Sequence, residues 1–484
     1  MEPVPKKEDL SSLTKSGLAW NTSLKIVSQL IRFVVGVIIA RILDPVDFGI
    51  MAIGHMVIHY TNSISDFGLI NALVQKHDLK QIHINSVFTL NLAISIILML
   101  VIAACSNLIG NFFNSPESGQ VLLYMSLLFV IRTYRDIYMA LLRRQVFFKI
   151  VATVVLIESV CMSAIALILT MTGMRYWSLV WATIFSTLIG AVIFFLQIKE
   201  KPKIQYDHEA MKKIYSFGIW NFLRAQLFFI NQFITQLIVG KLFGTVALGY
   251  FEKSHQLAST PRESIAAQIN AVMFSSFSRL QNDTEKLKNW FLKVITIETI
   301  MVVPLLAGII AVSDYFIIVL LGEKWIPSIA PLQILSVGII FHILNGLIAS
   351  LNVGIGQYRN QTIREIPGTI LFIFLCIVLS KWEINGISLA YTISMLFISF
   401  ITFNVSKSYL SLSFFQLFSS IFPYLAINTI MVILVRFLAS AYFVEFTISN
   451  LIILSVIGAT FYISATISIN IFKGENAFFP LKNQ

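Results

Sequence analysis

The segment Ser16-Gly17-Leu18-Ala19-Trp20-Asn21 opens the first apolar stretch of this 484-residue chain, and Ser216-Phe217-Gly218-Ile219-Trp220-Asn221 opens another one 200 residues later. Three further pairs match at the same offset without a gap: Arg41 with Lys241, Gly49 with Gly249, and His55 with His255. Several matches at one offset are difficult to obtain by chance. The sequence therefore predicts two halves that are copies of one structural unit.

The composition of the chain indicates an integral membrane protein. Hydrophobic residues make up 57% of the sequence and charged residues only 12%, whereas soluble domains contain about 25% charged residues. A membrane-spanning helix needs about 20 mainly apolar residues, so some fourteen such helices fill the chain and leave only short loops. The sequence contains no G-x-x-x-x-G-K-[ST] phosphate-binding loop, which agrees with the absence of an ATPase domain.

Apolar runs separated by charged breaks predict an all-α fold with about fourteen transmembrane helices. The predicted ranges are 17–40, 46–74, 84–108, 119–141, 150–172, 176–198, 212–240, 245–277, 291–312, 327–352, 362–380, 385–406, 416–440 and 448–471.

The basic residues fall mainly on alternate loops. One set of loops contains only Arg41, Arg175, Lys241, Lys324 and Lys381, and the other set contains most of the remaining lysines and arginines. The positive-inside rule therefore predicts that both termini are cytoplasmic. Because this asymmetry explains most of the net charge of +11, nucleic acid is not expected as a partner. Membrane lipids are expected partners. The polar first 16 residues predict no cleavable signal peptide.

The repeat also predicts the domain organisation. Six helices separate the two copies, and an even number gives both copies the same orientation in the membrane. Such parallel repeats are related by an axis along the membrane normal, and transporters built this way bind substrate between the halves. We expect two pseudo-symmetric six-helix lobes at 1–210 and 211–410, followed by two C-terminal helices in 411–484.

A polar stripe runs along the first predicted helix. Asn21, Lys25, Gln29 and Arg32 are spaced by three or four residues, which places them on one helical face. A charge near the middle of the bilayer costs at least about 2.5–3.5 kcal/mol, so it is expected to face a cavity or a partner. Two cations on this face predict an anion-accepting cavity, although Lys25 could instead reach the cytoplasmic surface along its own helix.

The repeat-related helices of the second half carry similar stripes. Asn221 and Arg224 lie on the seventh predicted helix, and Lys253, His255 and Arg262 lie on the eighth. We interpret the cations and amides of both halves as one substrate-binding set that lines a central cavity.

Several titratable residues within apolar helices are candidates for coupling or gating. They are His55, His255, Asp66, Glu158 and Glu298. Glu158 and Glu298 are isolated acids, so each could be a proton or cation site or could simply pair with one of the buried cations. No metal site or other cofactor is expected, because His55 has no third ligand at suitable spacing. The three cysteines lie far apart within apolar runs and are interpreted as packing thiols.

Two segments of the first half resemble the polysaccharide flippases of bacteria. They are residues 39–49, Ile-Ala-Arg-Ile-Leu-Asp-Pro-Val-Asp-Phe-Gly, and residues 65–75, Ser-Asp-Phe-Gly-Leu-Ile-Asn-Ala-Leu-Val-Gln. Residues 247–250 and 277–283 fit the second half of the same family, and Asp44 stands where the family usually has glycine. This family belongs to the multidrug, oligosaccharidyl-lipid and polysaccharide exporter superfamily.

The resemblance implies a transporter of the bacterial inner membrane that has no enzymatic activity. Its expected substrate is a polyprenyl-pyrophosphate-linked oligosaccharide, moved from the inner to the outer leaflet by alternating access for surface polysaccharide or exopolysaccharide synthesis. A polysaccharide polymerase and export machinery are candidate partners. The alternatives are a drug or metabolite exporter, a peptidoglycan-precursor flippase of the same superfamily, and a membrane glycosyltransferase or polymerase. The cationic stripes favour an anionic substrate over cationic drugs.

Overall fold

The computed structural model describes the backbone of residues 7–66, 69, 70, 73, 80–145, 147–198 and 201–472. Within helices, the side chains of residues 7–19, 21–23, 62–66, 210 and 212–232 fall outside this description. Throughout the described ranges the secondary structure is helical, with no strand. The prediction of an all-α polytopic membrane protein is confirmed. Nine helical segments within these ranges are long and apolar enough to cross a membrane, and the number fourteen stays a prediction.

Seven helices lie within the described residues of the first half. They are α1 (Lys7–Ile42), α2 (Pro45–Asp66), α3 (Gln81–Phe112), α4 (Pro116–Met125), α5 (Leu128–Arg144), α6 (Phe148–Met171) and α7 (Tyr176–Gln197). The predicted helix at 119–141 is thus divided into α4 and α5 by a turn at residues 126–127.

The second half begins with the longest helix. Its helices are α8 (His208–Pro261), α9 (Ala267–Leu280), α10 (Thr284–Tyr315), α11 (Ile329–Gly354), α12 (Tyr358–Leu379), α13 (Glu383–Leu410), α14 (Phe414–Tyr442) and α15 (Ile448–Phe472). Gly244 breaks α8 with φ of 80°, a left-handed conformation that favours glycine. This break lies at the predicted boundary between the seventh and eighth membrane helices.

The chain folds as two compact units, Met1–Gly249 and Tyr250–Gln484. In the first unit α1 packs on α6, α3 on α4, and α5 and α6 on α7. Its core includes the fully buried Phe129 and Phe194. The predicted boundaries at residues 210 and 410 stay predictions.

In the second unit α13 packs between α11 and α12, and α14 packs on both α10 and α15. Phe277, Phe291 and Phe403 form one buried cluster, and Tyr424 and Leu454 belong to another. Large apolar side chains such as Ile377 are exposed on the outside of the helices, as expected for surfaces that meet lipid.

Two glycines matched by the repeat make the same contact twice. A Cβ on Gly49 would lie 1.8 Å from the carbonyl oxygen of Thr245, and a Cβ on Gly249 would lie 1.9 Å from the carbonyl oxygen of Pro45. Residues 45 and 49 correspond to residues 245 and 249 at the repeat offset. The reciprocal contact is what a two-fold repeat predicts, and it explains why only glycine fits at both positions.

Candidate functional site

The polar stripe of α1 lies beside α6. Lys25 and Arg32 are exposed, and Gln29 is half-buried. Arg32 Nη1 donates a hydrogen bond to Ser159 Oγ on α6 at 3.3 Å. The neighbouring apolar residues of α1, such as Leu30 at 59% exposure, are also uncovered. Exposed cations within an apolar helix require a watery or anionic surrounding.

Glu158, the residue before Ser159 on α6, forms a two-pronged ion pair with Arg135 of α5. Arg135 Nε donates to Glu158 Oε1 and Arg135 Nη2 donates to Glu158 Oε2, each at 2.7 Å. Arg135 Nη1 also donates to Asp136 Oδ1 at 2.6 Å. Such paired charge-assisted bonds fix both side chains. Glu158 is therefore paired with a cation of α5 in the structure, and its role in coupling or gating stays a prediction.

The backbone of α7 closes over this ion pair at Gly190. A Cβ at Gly190 would lie 1.6 Å from Glu158 Oε1 and 2.4 Å from its carboxyl carbon. Only a glycine lets α7 approach the carboxylate this closely. The ion pair between α5 and α6 is thus covered on a third side by α7.

The two histidines of α2 stack on each other. The ring centroids of His55 and His59 are 5.6 Å apart. Among the described residues no group of three metal-ligating side chains occurs. The predicted site residues also include Asp66, Asn21, Asn221 and Arg224, whose side chains lie outside the described residues.

In the second unit the predicted cations lie on α8 and at its end. Lys253 is almost completely buried, with 5% exposure, and it is not without an interaction partner. Arg262 begins a π-helical segment, Arg262–Ala266, directly after Pro261. Single π-helical turns are frequent at functional sites. The segment shifts the helical register between α8 and α9 and places Arg262 against α11.

Arg262, His342 and Tyr391 form a hydrogen-bonded chain across three elements. Arg262 Nη1 lies 3.4 Å from His342 Nε2 on α11, and His342 Nδ1 lies 2.7 Å from the hydroxyl of Tyr391 on α13. The ring of His255 meets Tyr391 edge-on at 6.0 Å, and His255 Nε2 lies 3.5 Å from Ser259 Oγ. The structure thus brings together two predicted residues, Arg262 and His255.

Glu298 is the most deeply buried acid of the described chain. It lies in the middle of α10 with 0% exposure, and neither carboxylate oxygen has a hydrogen-bond partner among the described residues. Its neighbours one turn away, Val294 and Ile295, belong to the core around Phe291. An ionised carboxylate without a partner is costly in such a place, and the role predicted for Glu298 in coupling or gating stays a prediction.

Arg135, His342 and Tyr391 belong to these clusters but are not among the predicted site residues. His342 is the one histidine of α11 and lies between Phe341 and Ile343, and this isolated histidine is the signal that could have found it, whereas Tyr391 carries no such signal. Arg135 bonds to Asp136, its neighbour in sequence, but its bond to Glu158 joins residues 23 positions apart. A contact between residues so far apart in sequence cannot be predicted from their spacing along one helix.

The sequence of residues 38–330 matches the family described as "Polysaccharide biosynthesis protein". This match covers more than half of the 484 residues. The chain belongs to this polysaccharide biosynthesis protein family.

Named relatives agree with this assignment. The chain is 25% identical over 334 residues to the lipopolysaccharide biosynthesis protein WzxC of Escherichia coli, covering 68% of this chain and 67% of that one. It is 25% identical over 312 residues to the succinoglycan biosynthesis transport protein ExoT of Rhizobium meliloti, covering 64% of this chain and 62% of that one. The chain thus spans less than two thirds of ExoT.

The fold of this family member is similar to that of the lipid II flippase MurJ in an inward closed conformation. The TM-score is 0.73, the sequence identity is 16%, and the match covers 92% of this chain and 98% of that one. At this identity the likeness shows the fold alone.

Proposed function

We propose that this protein moves polyprenyl-pyrophosphate-linked oligosaccharide repeat units from the inner to the outer leaflet of the bacterial inner membrane by alternating access. The observation that carries the proposal is the family match over residues 38–330, and relatives of the chain are named for polysaccharide synthesis and transport. Transport across a membrane makes and breaks no bond, so the proposal includes no enzymatic activity. Both termini are proposed to be cytoplasmic.

The cations within apolar helices support an anionic head group as the bound part of the substrate. The proposed pyrophosphate-binding residues are Lys25, Arg32, Arg224, Lys253 and Arg262, and the proposed sugar-binding residues are Asn21, Gln29 and Asn221. Guanidinium and ammonium groups form strong charge-assisted hydrogen bonds with phosphate oxygens. Amide side chains donate and accept the hydrogen bonds that sugar hydroxyls need.

The coupling or gating set is proposed to be Asp66, Glu158, Glu298, His55 and His255. Within it, Glu298 is the candidate for exchanging a proton or cation, since its carboxylate is buried and has no described partner. Glu158 is the candidate for holding α5, α6 and α7 together through Arg135. Membrane lipids, a polysaccharide polymerase and export machinery are proposed partners.

The proposal is tested by deleting the gene in its native host and measuring lipid-linked glycans in each leaflet. We expect polyprenyl-linked glycans to accumulate on the cytoplasmic side and surface polysaccharide to fall. Accumulation of a peptidoglycan precursor would identify the related flippase activity instead. Unchanged surface polysaccharide without accumulation, in a host that lacks a redundant transporter, would contradict the proposal.

A narrower test uses Arg32, because the structure describes both this residue and its hydrogen-bond partner Ser159. Arg32→Lys keeps the charge and Arg32→Ala removes it. We expect export to survive the first change and to fall at least tenfold with the second. Normal export by Arg32→Ala at normal protein level would exclude Arg32 from anion binding.

A further inference from the structure

We propose that His342 takes up a proton when the pyrophosphate group of the substrate binds Arg262, so that substrate capture in the second unit is linked to protonation. This inference rests on the proposed function, since it takes Arg262 as an anion-binding residue. It assigns roles to His342 and Tyr391, which neither the repeat nor the family match points to.

The hydrogen bonds fix the protonation state of His342 in the structure. A guanidinium group can only donate, so the 3.4 Å contact with Arg262 Nη1 makes His342 Nε2 an acceptor. An imidazole that accepts at Nε2 is neutral and carries its hydrogen on Nδ1. Nδ1–H then donates to the hydroxyl of Tyr391 at 2.7 Å. Tyr391 therefore holds the ring in the orientation that presents Nε2 to Arg262.

The surrounding backbone is built for this arrangement. Gly338 lies one turn before His342 on α11, and a Cβ there would lie 2.7 Å from Thr392 Oγ1 and 2.9 Å from the ring of Tyr391. A larger residue at position 338 would displace both of these neighbours on α13. On the other side, the π-helical segment begins at Arg262. The close packing at Gly338 and the π-helical segment at Arg262 thus lie on two sides of the same imidazole.

The guanidinium of Arg262 retains capacity for an anion. Its Nε–H is buried and has no hydrogen-bond partner among the described residues. Its Nη2 lies 3.6 Å from Glu263, whose side chain is 59% exposed. Phosphate oxygens favour two adjacent donors of one guanidinium. A phosphate that binds Arg262 can therefore compete with the long contact to His342.

Protonation of His342 and its contact with Arg262 exclude each other, because a protonated Nε2 would point its hydrogen at a cation. When an anion draws Arg262 away, Nε2 becomes free to accept a proton, and the imidazolium can donate to the same anion. Binding and protonation at one site then favour each other reciprocally. The proton would enter with the anion and leave when the anion is released.

Ionisable groups on the elements around α11 include Arg262 and Glu263 on the π-helical segment, His255 on α8, Glu298 on α10, Glu365 on α12 and Tyr391 on α13. The guanidinium of Arg262 and the phenol of Tyr391 already carry their protons, so the histidine and the carboxylates are the groups that can compete for the proton. Among the described residues, only Arg262 and Tyr391 hydrogen bond to the imidazole. Glu365 accepts from Gln361, and the ring of His255 meets that of Tyr391 edge-on. His255 is therefore the competing proton acceptor that the experiment must separate from His342.

The test measures proton uptake by the full-length protein in nanodiscs during titration with farnesyl pyrophosphate, a short polyprenyl pyrophosphate. Calorimetry near pH 7 in two buffers of different ionisation enthalpy gives the protons taken up per ligand. We expect wild-type protein to take up more protons than His342→Gln, by up to one per ligand. As pH rises, the affinity of wild-type protein for the ligand should also fall more steeply than that of His342→Gln, by up to about tenfold per pH unit.

Matched variants separate the possible results. His59→Gln changes a histidine of the first unit and should keep the wild-type uptake. Tyr391→Phe should reduce uptake, because the imidazolium loses its acceptor, and it serves if His342→Gln does not fold. Equal uptake in wild type and His342→Gln, or loss only in a His255→Gln variant, would overturn the inference and leave the proposed function standing. No binding by wild-type protein would instead contradict the anion site itself.

Discussion

Gly190→Ala tests whether the ion pair between Arg135 and Glu158 stabilises the first unit. The new Cβ would lie 1.6 Å from Glu158 Oε1, and real Cβ contacts are essentially never shorter than 3.0 Å. The carboxylate must therefore move by at least 1.4 Å, the difference between these distances, and both 2.7 Å bonds to Arg135 are lost or distorted. Breaking a buried ion pair costs about 3–5 kcal/mol. We expect a loss near the lower end of this range, because Asp136 still neutralises Arg135.

A second background makes this expectation specific. In Glu158→Ala the atoms that clash with position 190 are absent, and alanine is a better helix former than glycine by up to about 1 kcal/mol. Gly190→Ala should then be neutral or slightly stabilising. The measurement is the free energy of unfolding of all four proteins in mixed detergent micelles. The two changes should therefore be strongly non-additive.

Additive effects of the two substitutions would refute this reasoning, since they would show that Gly190 does not act through Glu158. Transport by Glu158→Gln at a permissive temperature separates the structural role from coupling. Transport in proportion to the amount of folded protein would support a structural role, in which the ion pair stabilises the packing of α5 on α6. Loss of transport with unchanged stability would instead support a direct coupling role for Glu158.

Three further predictions concern other helix contacts. Gly49→Ala places a Cβ against a backbone oxygen that cannot rotate away, so we expect it to lower the free energy of unfolding by about 1–3 kcal/mol and to lower export. Gly36 has no atom within 4 Å of the position of a Cβ, so Gly36→Ala should leave export unchanged in the same assay. Arg436→Met removes bonds to Asp314 and to a carbonyl of α10; because the pair is more than one third exposed, we expect about 1 kcal/mol of lost unfolding free energy. The side-chain hydrogen bond from Lys286 lowers the pKa of Asp283, which caps α10, so this cap is intact above the ordinary aspartate range and is lost as pH falls through the lowered pKa. Amide exchange in the first turn of α10, expressed relative to the intrinsic exchange rate at each pH, should quicken as pH falls in wild type, and a ratio that does not change with pH would contradict this.

The helices could be predicted well from the sequence because hydropathy is a local property. The predicted segment 150–172 corresponds to Phe148–Met171, and the segment 448–471 corresponds to Ile448–Phe472. The turn between α4 and α5 and the π-helical segment at Arg262 could not be predicted in this way. Both are departures within an otherwise apolar run, and neither changes the mean hydropathy on which the prediction depends.

The candidate site, too, could be predicted only where it depends on local sequence. Spacing along one helix placed Lys25, Gln29 and Arg32 on one face, and the repeat directed attention to the second half. The partners of the charges could not be predicted from spacing. Arg135 lies 23 residues from Glu158, and Arg262 lies 80 residues from His342. Which side chains meet depends on how each helix is rotated about its axis and how deeply it packs.

The sequence by itself determined the membrane class, the helical segments and the internal repeat, because these follow from composition, length and periodicity along the chain. Only the tertiary structure decided that Glu158 is paired, that Glu298 is buried without a described partner, and that His342 joins Arg262 to Tyr391. A buried charge is stable only beside the right neighbour. That neighbour is supplied by packing between distant segments, which local pattern does not encode.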